Sequence, residues 1–397
     1  MLKSAHTKRL AFAVAMTATL GTTFVGGSAQ ADPKQLTAAV GVGSDTTQDV
    51  MNAMTGFTNA INYTPIQSSS ASGYRQVISF DALPPAGVAD ACITPKVGGP
   101  TFARPNGSSA GRRALSRAQD GTKYGNAACG GVQDVAGLVD FARSSAGPTS
   151  GDVGTALTYV PFGRDAVSFA YYRAAGSPVT SLTRAQLTTL FTTGAQTIGG
   201  VRILPCGIQT SSGTYTFWNT VTTASTTAEN TATTECNALL AAGRAEENSG
   251  DQLKARGDAA ETANAGTQVI IGFSAGAFIA KSNLVGPGTP PAGVGIGSID
   301  DGAATPVITS PVTGTAPNLA PNSTFYASTI YGRNVYNVFP TAVIASAFGN
   351  DDLKSLFVGS TSSLCSASTT IEKFGFQALG ANCGTTTLKG SLVSGQL

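Results

Sequence analysis

Apolar and polar positions alternate between two periods along this chain, and the alternation predicts strands interleaved with helices. Leu36 to Val42 reads as a strand, followed by the loop Gly43-Ser44-Asp45-Thr46-Thr47. Val50, Met54, Phe57 and Ile61 then fall on one face at helical spacing, and Ser44, Asp45 and Thr46 are good N-cap residues for that helix. Val135 to Phe141 is a second apolar strand. Tyr159 to Phe162 and Ala166 to Tyr172 are strand-like and enter a new region. Thr183-Arg184-Ala185-Gln186 is a capping box, opening a helix that carries Leu187, Leu190 and Phe191. Ile203-Leu204-Pro205 predicts a strand, and Tyr215, Phe217 and Trp218 an aromatic helix start. Cys236 to Glu246 reads as a helix and Gln268 to Ile271 as a buried strand. From Leu284 to Ser323 prolines, glycines and threonines break any long element. Val335 to Phe339 is a strand and Ala342 to Phe348 a helix. Strands alternating with helices, with Gly/Ser loops after strands, predict an open α/β architecture whose ligand sits beyond strand ends.

Composition narrows the class. The 397 residues are 42% hydrophobic and 12% charged, which excludes charge-driven disorder and gives length for two domains. Lys3, Lys8 and Arg9 precede an uncharged run from Leu10 to Val25 and the A-x-A site Ala29-Gln30-Ala31, so residues 1–31 read as a secretory signal peptide. Three of the 24 basic residues lie in that leader against 22 acidic ones overall, leaving a net charge of −1, a poor basis for binding nucleic acid. The only histidine is His6, also in the leader. Histidine-based nucleophilic catalysis and most zinc sites are thereby excluded from the processed chain. Six cysteines with an oxidising destination predict three disulfides, with sequential pairing, Cys92–Cys129, Cys206–Cys236 and Cys365–Cys383, favoured because each encloses one local segment.

Two motifs carry little. Gly272-Phe273-Ser274-Ala275-Gly276 has the form of a nucleophile elbow after a strand, but no base follows it, so it reads as a small-residue turn. Gly41-Val42-Gly43 lacks the third glycine of a dinucleotide fingerprint. No compact carboxylate or histidine cluster for a metal is visible, and no cofactor is expected.

Four loops share a chemistry. They are Gly43 to Thr47, Asn106-Gly107-Ser108-Ser109-Ala110-Gly111, Arg143-Ser144-Ser145 and Ser211-Ser212-Gly213-Thr214. Each places hydroxyls near a predicted helix start, where unpaired N–H groups and the helix dipole favour an anion. Arg143 adds a fork of donors and a full charge.

These loops resemble those of the substrate-binding components of bacterial ABC importers, most of all the phosphate-binding proteins. Gly41 to Thr46 stands where that family has a G-x-G-small-Thr-Phe loop. Gly107-Ser108-Ser109-Ala110-Gly111 resembles its G-S-[SG]-x-G loop, Asp140 to Ser145 its D-F-x-x-S-D segment, and Ser212-Gly213-Thr214 its S-G-T. Val269 to Phe273 resembles its A-I-G-Y strand. Order and rough spacing hold from about residue 37 to 280. The sequence departs at Ile208 and Thr210, where the family has Arg and Asp, and at Ser145, where it has Asp.

The resemblance implies a two-lobed type II periplasmic-binding fold, each lobe a mixed sheet flanked by helices, with the ligand cleft between them. One lobe would be 32–160 with 331–397, the other 161–330. It implies capture of a small oxyanion such as phosphate by Ser44, Asp45, Thr46, Ser108, Ser109, Arg143, Ser144, Ser145, Ser212, Gly213 and Thr214, with no chemical step. Arg143 would replace the missing arginine and Asp45 the missing carboxylate. If Asp45 points inward, phosphate is favoured; if it only caps a helix, another oxyanion or a larger anionic solute is open. Arg164-Asp165 either reaches the cleft or forms a surface ion pair. The implied setting is a secreted monomer serving an ABC permease. The alternative is a secreted surface or matrix protein that keeps the fold without transport.

Overall fold

A computed structural model describes residues 39–55, 77–84, 91–286, 288–301, 309–345 and 351–395. The expected leader 1–31, Leu36, Phe57, Ile61 and Phe348 lie outside the described residues.

The long strand at the centre follows from its sequence. Leu157–Arg173 runs for 17 residues with almost every side chain buried, the pattern of a strand covered on both faces. The main sheet is built from β1 (Ala39–Gly43), β2 (Val77–Ser79), β3 (Phe141–Ser144), this strand as β4, β5 (Gln196–Ile198), β6 (Val201–Pro205), β7 (Gln268–Ser274) and β8 (Gly332–Pro340). Their order is β5-β6-β7-β4-β8-β3-β1-β2. β1 is parallel to β2 and β3, and β6 to β7, while β4 runs antiparallel to both β7 and β8. The fold is mixed α/β, with a mixed sheet in each half of the molecule sharing β4.

Pro161 sits inside β4 without a ladder donor. The pairing accommodates it: Val335 faces Gly163 and Tyr336 faces Pro161, so Phe162 is the extra residue of a bulge. The helices flanking the sheet include α1 (Gln48–Met54), α2 (Ser108–Asp120), α3 (Arg184–Thr193), α4 (Gly213–Val221), α5 (Gly250–Ala263) and α6 (Ala275–Ser282). The capping box on α3 forms: Thr183 Oγ1 accepts from Gln186 N–H, and Gln186 Oε1 accepts from Thr183 N–H.

Among the described residues three apolar clusters form the core. One gathers side chains from 166 to 331, around Trp218 and Phe191, whose rings meet edge to face at 5.5 Å. The other two gather 39–162 with 335–383, around Phe141, Phe339 and Phe357, and Ala280 of α6 joins them from the other half. The three sequential disulfides form as expected. Each closes a loop of modest length and contributes about 3 kcal/mol through the unfolded state.

Two expected elements differ. The strand expected over Val135–Phe141 begins at Phe141, because Val135–Leu138 is a turn with Gly137 at φ +66°. The helix expected over Cys236–Glu246 ends at Ala238, and Gly243, at φ +67°, interrupts the path beyond it. The larger helix of this region is α5, started by Ser249, whose hydroxyl accepts from Gln252 N–H.

Candidate functional site

The hydroxyl loops come together from distant parts of the chain. Ser108, at the first position of α2, accepts from Ser145 N–H at 3.0 Å, and the two hydroxyls lie 3.2 Å apart. Ser109 N–H, in the first turn of α2, donates to Ser211 carbonyl at 2.9 Å. Gly213 opens α4 against the same place. A methyl there would meet Ser145 Oγ at 2.5 Å and Ser108 Oγ at 2.7 Å, so the close approach needs glycine. Gly107 serves α2 likewise, at φ +92° and with Ser211 carbonyl where a Cβ would stand. Ser212 caps α4, its hydroxyl accepting from Thr214 N–H at 3.0 Å. Two helix N-termini therefore meet beside Ser145.

Ser44, Asp45 and Thr46 follow β1 and are all buried. None of them caps α1; its N-cap position is Thr47, which makes no side-chain capping bond. Asp45 is therefore not a helix cap. Its carboxylate lies with those of Glu246 and Glu247, their oxygens within 4.8 Å of one another. This corrects the sequence reading that no compact carboxylate cluster exists. Asp45 is far in sequence from the adjacent pair Glu246 and Glu247, and only the fold brings it to the loop before α5.

Hydroxyls from both halves hold Glu247. Its Oε1 accepts from Thr46 Oγ1 at 2.7 Å and from Thr214 Oγ1 at 2.9 Å. Arg333 of β8 donates through Nη2 to Thr214 Oγ1 at 2.7 Å and to Asp165 Oδ2 at 2.9 Å. Asp165, fully buried, also accepts from Ser274 Oγ at 3.0 Å and Gly276 N–H at 3.1 Å. Ser274 thus caps α6 and steadies a buried acid, which accounts for the elbow-like motif without catalysis. Arg333 Nη1 is buried with no hydrogen-bond partner among the described residues.

Burial, and then the charge on Glu247, push the Asp45 carboxyl well above its ordinary value. The same two causes raise Glu246 to about 7. Burial also works to raise Glu247, but hydrogen bonds with Asp45 and Thr46 and the charge on Arg333 outweigh it and hold that carboxyl low. Asp45 Oδ1 and Oδ2 and Glu247 Oε2 have no donor among the described residues. Ionised carboxylates only accept, so a proton on Asp45, shared with its acidic neighbours, satisfies the group. A cation of suitable size would meet the same need.

Arg143 lies elsewhere than the sequence reading expected. Its guanidinium, fully buried, donates to Ser44 carbonyl at 3.2 Å, Gly43 carbonyl at 3.2 Å and Ser79 Oγ at 2.8 Å. It braces the loop after β1 rather than facing the hydroxyl pair. Ser144 turns its hydroxyl onto Ala146 carbonyl at 2.6 Å. Arg164 and Asp165 separate: Arg164 binds Ser328 carbonyl and Asn334 Oδ1, while Asp165 turns inward to Arg333. Sequence reasoning missed Arg333, Glu246 and Glu247. Two adjacent acids just before a capped helix, in a chain with few charges, were the available signal for the last two.

No protein-family model matches the chain, and no curated protein matches it. Among solved structures, it is similar to an ABC-type phosphate transport receptor from Vibrio cholerae, at 14% identity over 85% of this chain and 99% of that one, with a TM-score of 0.43. It is also similar to the ancestral soluble variant of the human phosphate binding protein, at 14% identity over 87% and 91%, TM-score 0.48. A DING protein is similar at 15% identity over 87% and 92%, also with a TM-score of 0.48.

Proposed function

We propose that the protein is a secreted solute-binding protein that captures a small, proton-bearing oxyanion, phosphate, in a cleft between two lobes. The observation that supports this reading best is the meeting of Ser108, Ser145 and Gly213 at two helix N-termini. Beside them lie a hydroxyl pair and an arginine with an unused donor. Such a place offers hydrogen bonds and positive potential to an anion. The buried acids add a filter. Hydrogen phosphate brings a proton that an ionised carboxylate of the cluster can accept, whereas sulfate brings none and meets only repulsion from that charge. The lobes are 32–160 with 331–397, and 161–330, and the crossing strands β4 and β8 are the hinge. Closure by bending there presents one shape to an ABC permease, with no bond made or broken. The protein acts as a monomer and is exported after cleavage near Ala31.

Calorimetry of the processed chain tests the reading. Phosphate should bind, and sulfate should bind more weakly by over about a hundredfold, because a site with buried acceptors discriminates strongly against a ligand lacking the matching donor. A panel of phosphate, sulfate and other oxyanions that gives neither heat nor a rise in melting temperature sinks the reading. It would favour a surface or matrix protein that keeps the fold.

A further inference from the structure

The donors that an oxyanion would use are already directed at a group of the chain itself. Arg333 Nη2 donates to Thr214 Oγ1 at 2.7 Å and to Thr46 Oγ1 at 3.4 Å. A hydroxyl that accepts from a guanidinium turns its own proton away from it. Both hydroxyl protons then point to Glu247 Oε1, at 2.7 and 2.9 Å. One hydroxyl comes from the loop after β1 and the other from the first turn of α4, so Glu247 bridges the two halves of the molecule. Its side chain is fully buried. Glu246 is differently engaged, accepting from Asn106 Nδ2 at 2.9 Å. The backbone beside Glu247 is anchored: Ala245 N–H donates to Gly207 carbonyl, Gln209 N–H donates to Ala245 carbonyl, and Ser274 N–H donates to Glu247 carbonyl at 3.3 Å.

A carboxylate is itself an oxyanion, with one negative charge and two acceptor oxygens. We propose that Glu247 is a built-in occupant of the anion cradle, which an external oxyanion must displace, and that it thereby sets which anions the cleft accepts. This rests on the reading of the cleft as an anion site. A tethered group competes at a high effective concentration, so weak or singly interacting anions fail to replace it. An anion that fills more of the cradle, reaching Arg333 Nη1 and the hydroxyls around Ser108 as well as Thr46 and Thr214, succeeds. The apparent affinity of any ligand is its intrinsic affinity multiplied by the fraction of molecules in which Glu247 has left.

The test compares wild type with Glu247→Ala and Glu247→Gln by phosphate calorimetry, and adds formate in thermal melts. Glu247→Ala should bind phosphate at least tenfold more tightly than wild type. Formate, the missing carboxylate as a free ion, should raise the melting temperature of Glu247→Ala and leave wild type unchanged. Wild-type binding of phosphate with equal or weaker binding by Glu247→Ala overturns the inference and leaves the anion reading standing, with Glu247 then an acceptor for the ligand's proton. Absence of a formate response in Glu247→Ala also overturns it, whatever phosphate does. No response of any form to either anion removes the anion reading as well. If Glu247→Ala does not fold, Glu247→Gln has nearly the same volume without the charge; tighter phosphate binding supports the inference and unchanged binding overturns it.

Discussion

Two buried arginines that both reach the loop after β1 serve different ends. Arg143, at the end of β3, is engaged by main-chain oxygens of its own half and by Ser79, and braces the turn that carries Ser44 to Thr46. Arg333, on the crossing strand β8, joins Asp165 of β4 to the hydroxyl pair and keeps one nitrogen unpartnered among the described residues. Burial and charge are nearly alike at the two positions. The difference lies in what surrounds each guanidinium. Carbonyls of a tight loop use up a fork of donors, while one carboxylate and two hydroxyls leave part of it unused.

Substitutions at the two positions should separate these roles. The largest effect is expected for Arg333→Met. It leaves Asp165 as a buried charge without its cation, a cost of about 3–5 kcal/mol, read as a lower urea midpoint. Phosphate binding should fall by more than about a hundredfold. Retention of wild-type affinity in a folded Arg333→Met protein would remove Arg333 from the site. Arg143→Met should cost somewhat less, about 2–4 kcal/mol, since it strands buried acceptors rather than a charge. Its phosphate affinity should change by under about tenfold, and a larger loss at unchanged stability would show that Arg143 meets the ligand directly.

The smallest effect concerns pH and the acids beside Arg333. Glu246 has an ordinary value of 4.5 and is raised to about 7 in the fold, chiefly by burial and then by Glu247. The native state therefore holds a proton that the unfolded chain has released. Stability from this source is complete below about pH 4.5, declines as pH rises, and is gone above about pH 7. Asp49, raised to about 6 mainly by burial, acts in the same direction. The melting temperature should fall by a few degrees over this window, and Glu246→Gln should flatten the slope. An unchanged slope in that variant would assign the titration to other groups.

Much of the fold could be read from residue patterns. The 3.6-residue spacing of Leu187, Leu190 and Phe191 behind a capping box marks α3, and local cysteine spacing gives the three bridges. The hydroxyl loops were legible too, because Gly107, Ser108, Ser212 and Gly213 are short-range signatures of helix starts. Where a turn rather than hydrophobicity decides, reading fails: Val135 to Leu138 is apolar enough for a strand, yet Gly137 folds it into a turn. Likewise Cys236 to Glu246 has helical composition, but the helix stops at Ala238, Gly243 turns the chain beyond it, and α5 begins only after Ser249.

The sequence by itself determined most of the strands and helices, which cysteines pair, and which loops can present donors, because these depend on neighbours a few residues away. Tertiary structure alone decided that Arg143 turns onto carbonyls, that Arg333 and Asp165 meet across 168 residues, and that Asp45 joins Glu246 and Glu247 out of reach of solvent. Electrostatic partners are selected by distance in space and by the loss of water around them, and neither quantity is written in the order of residues.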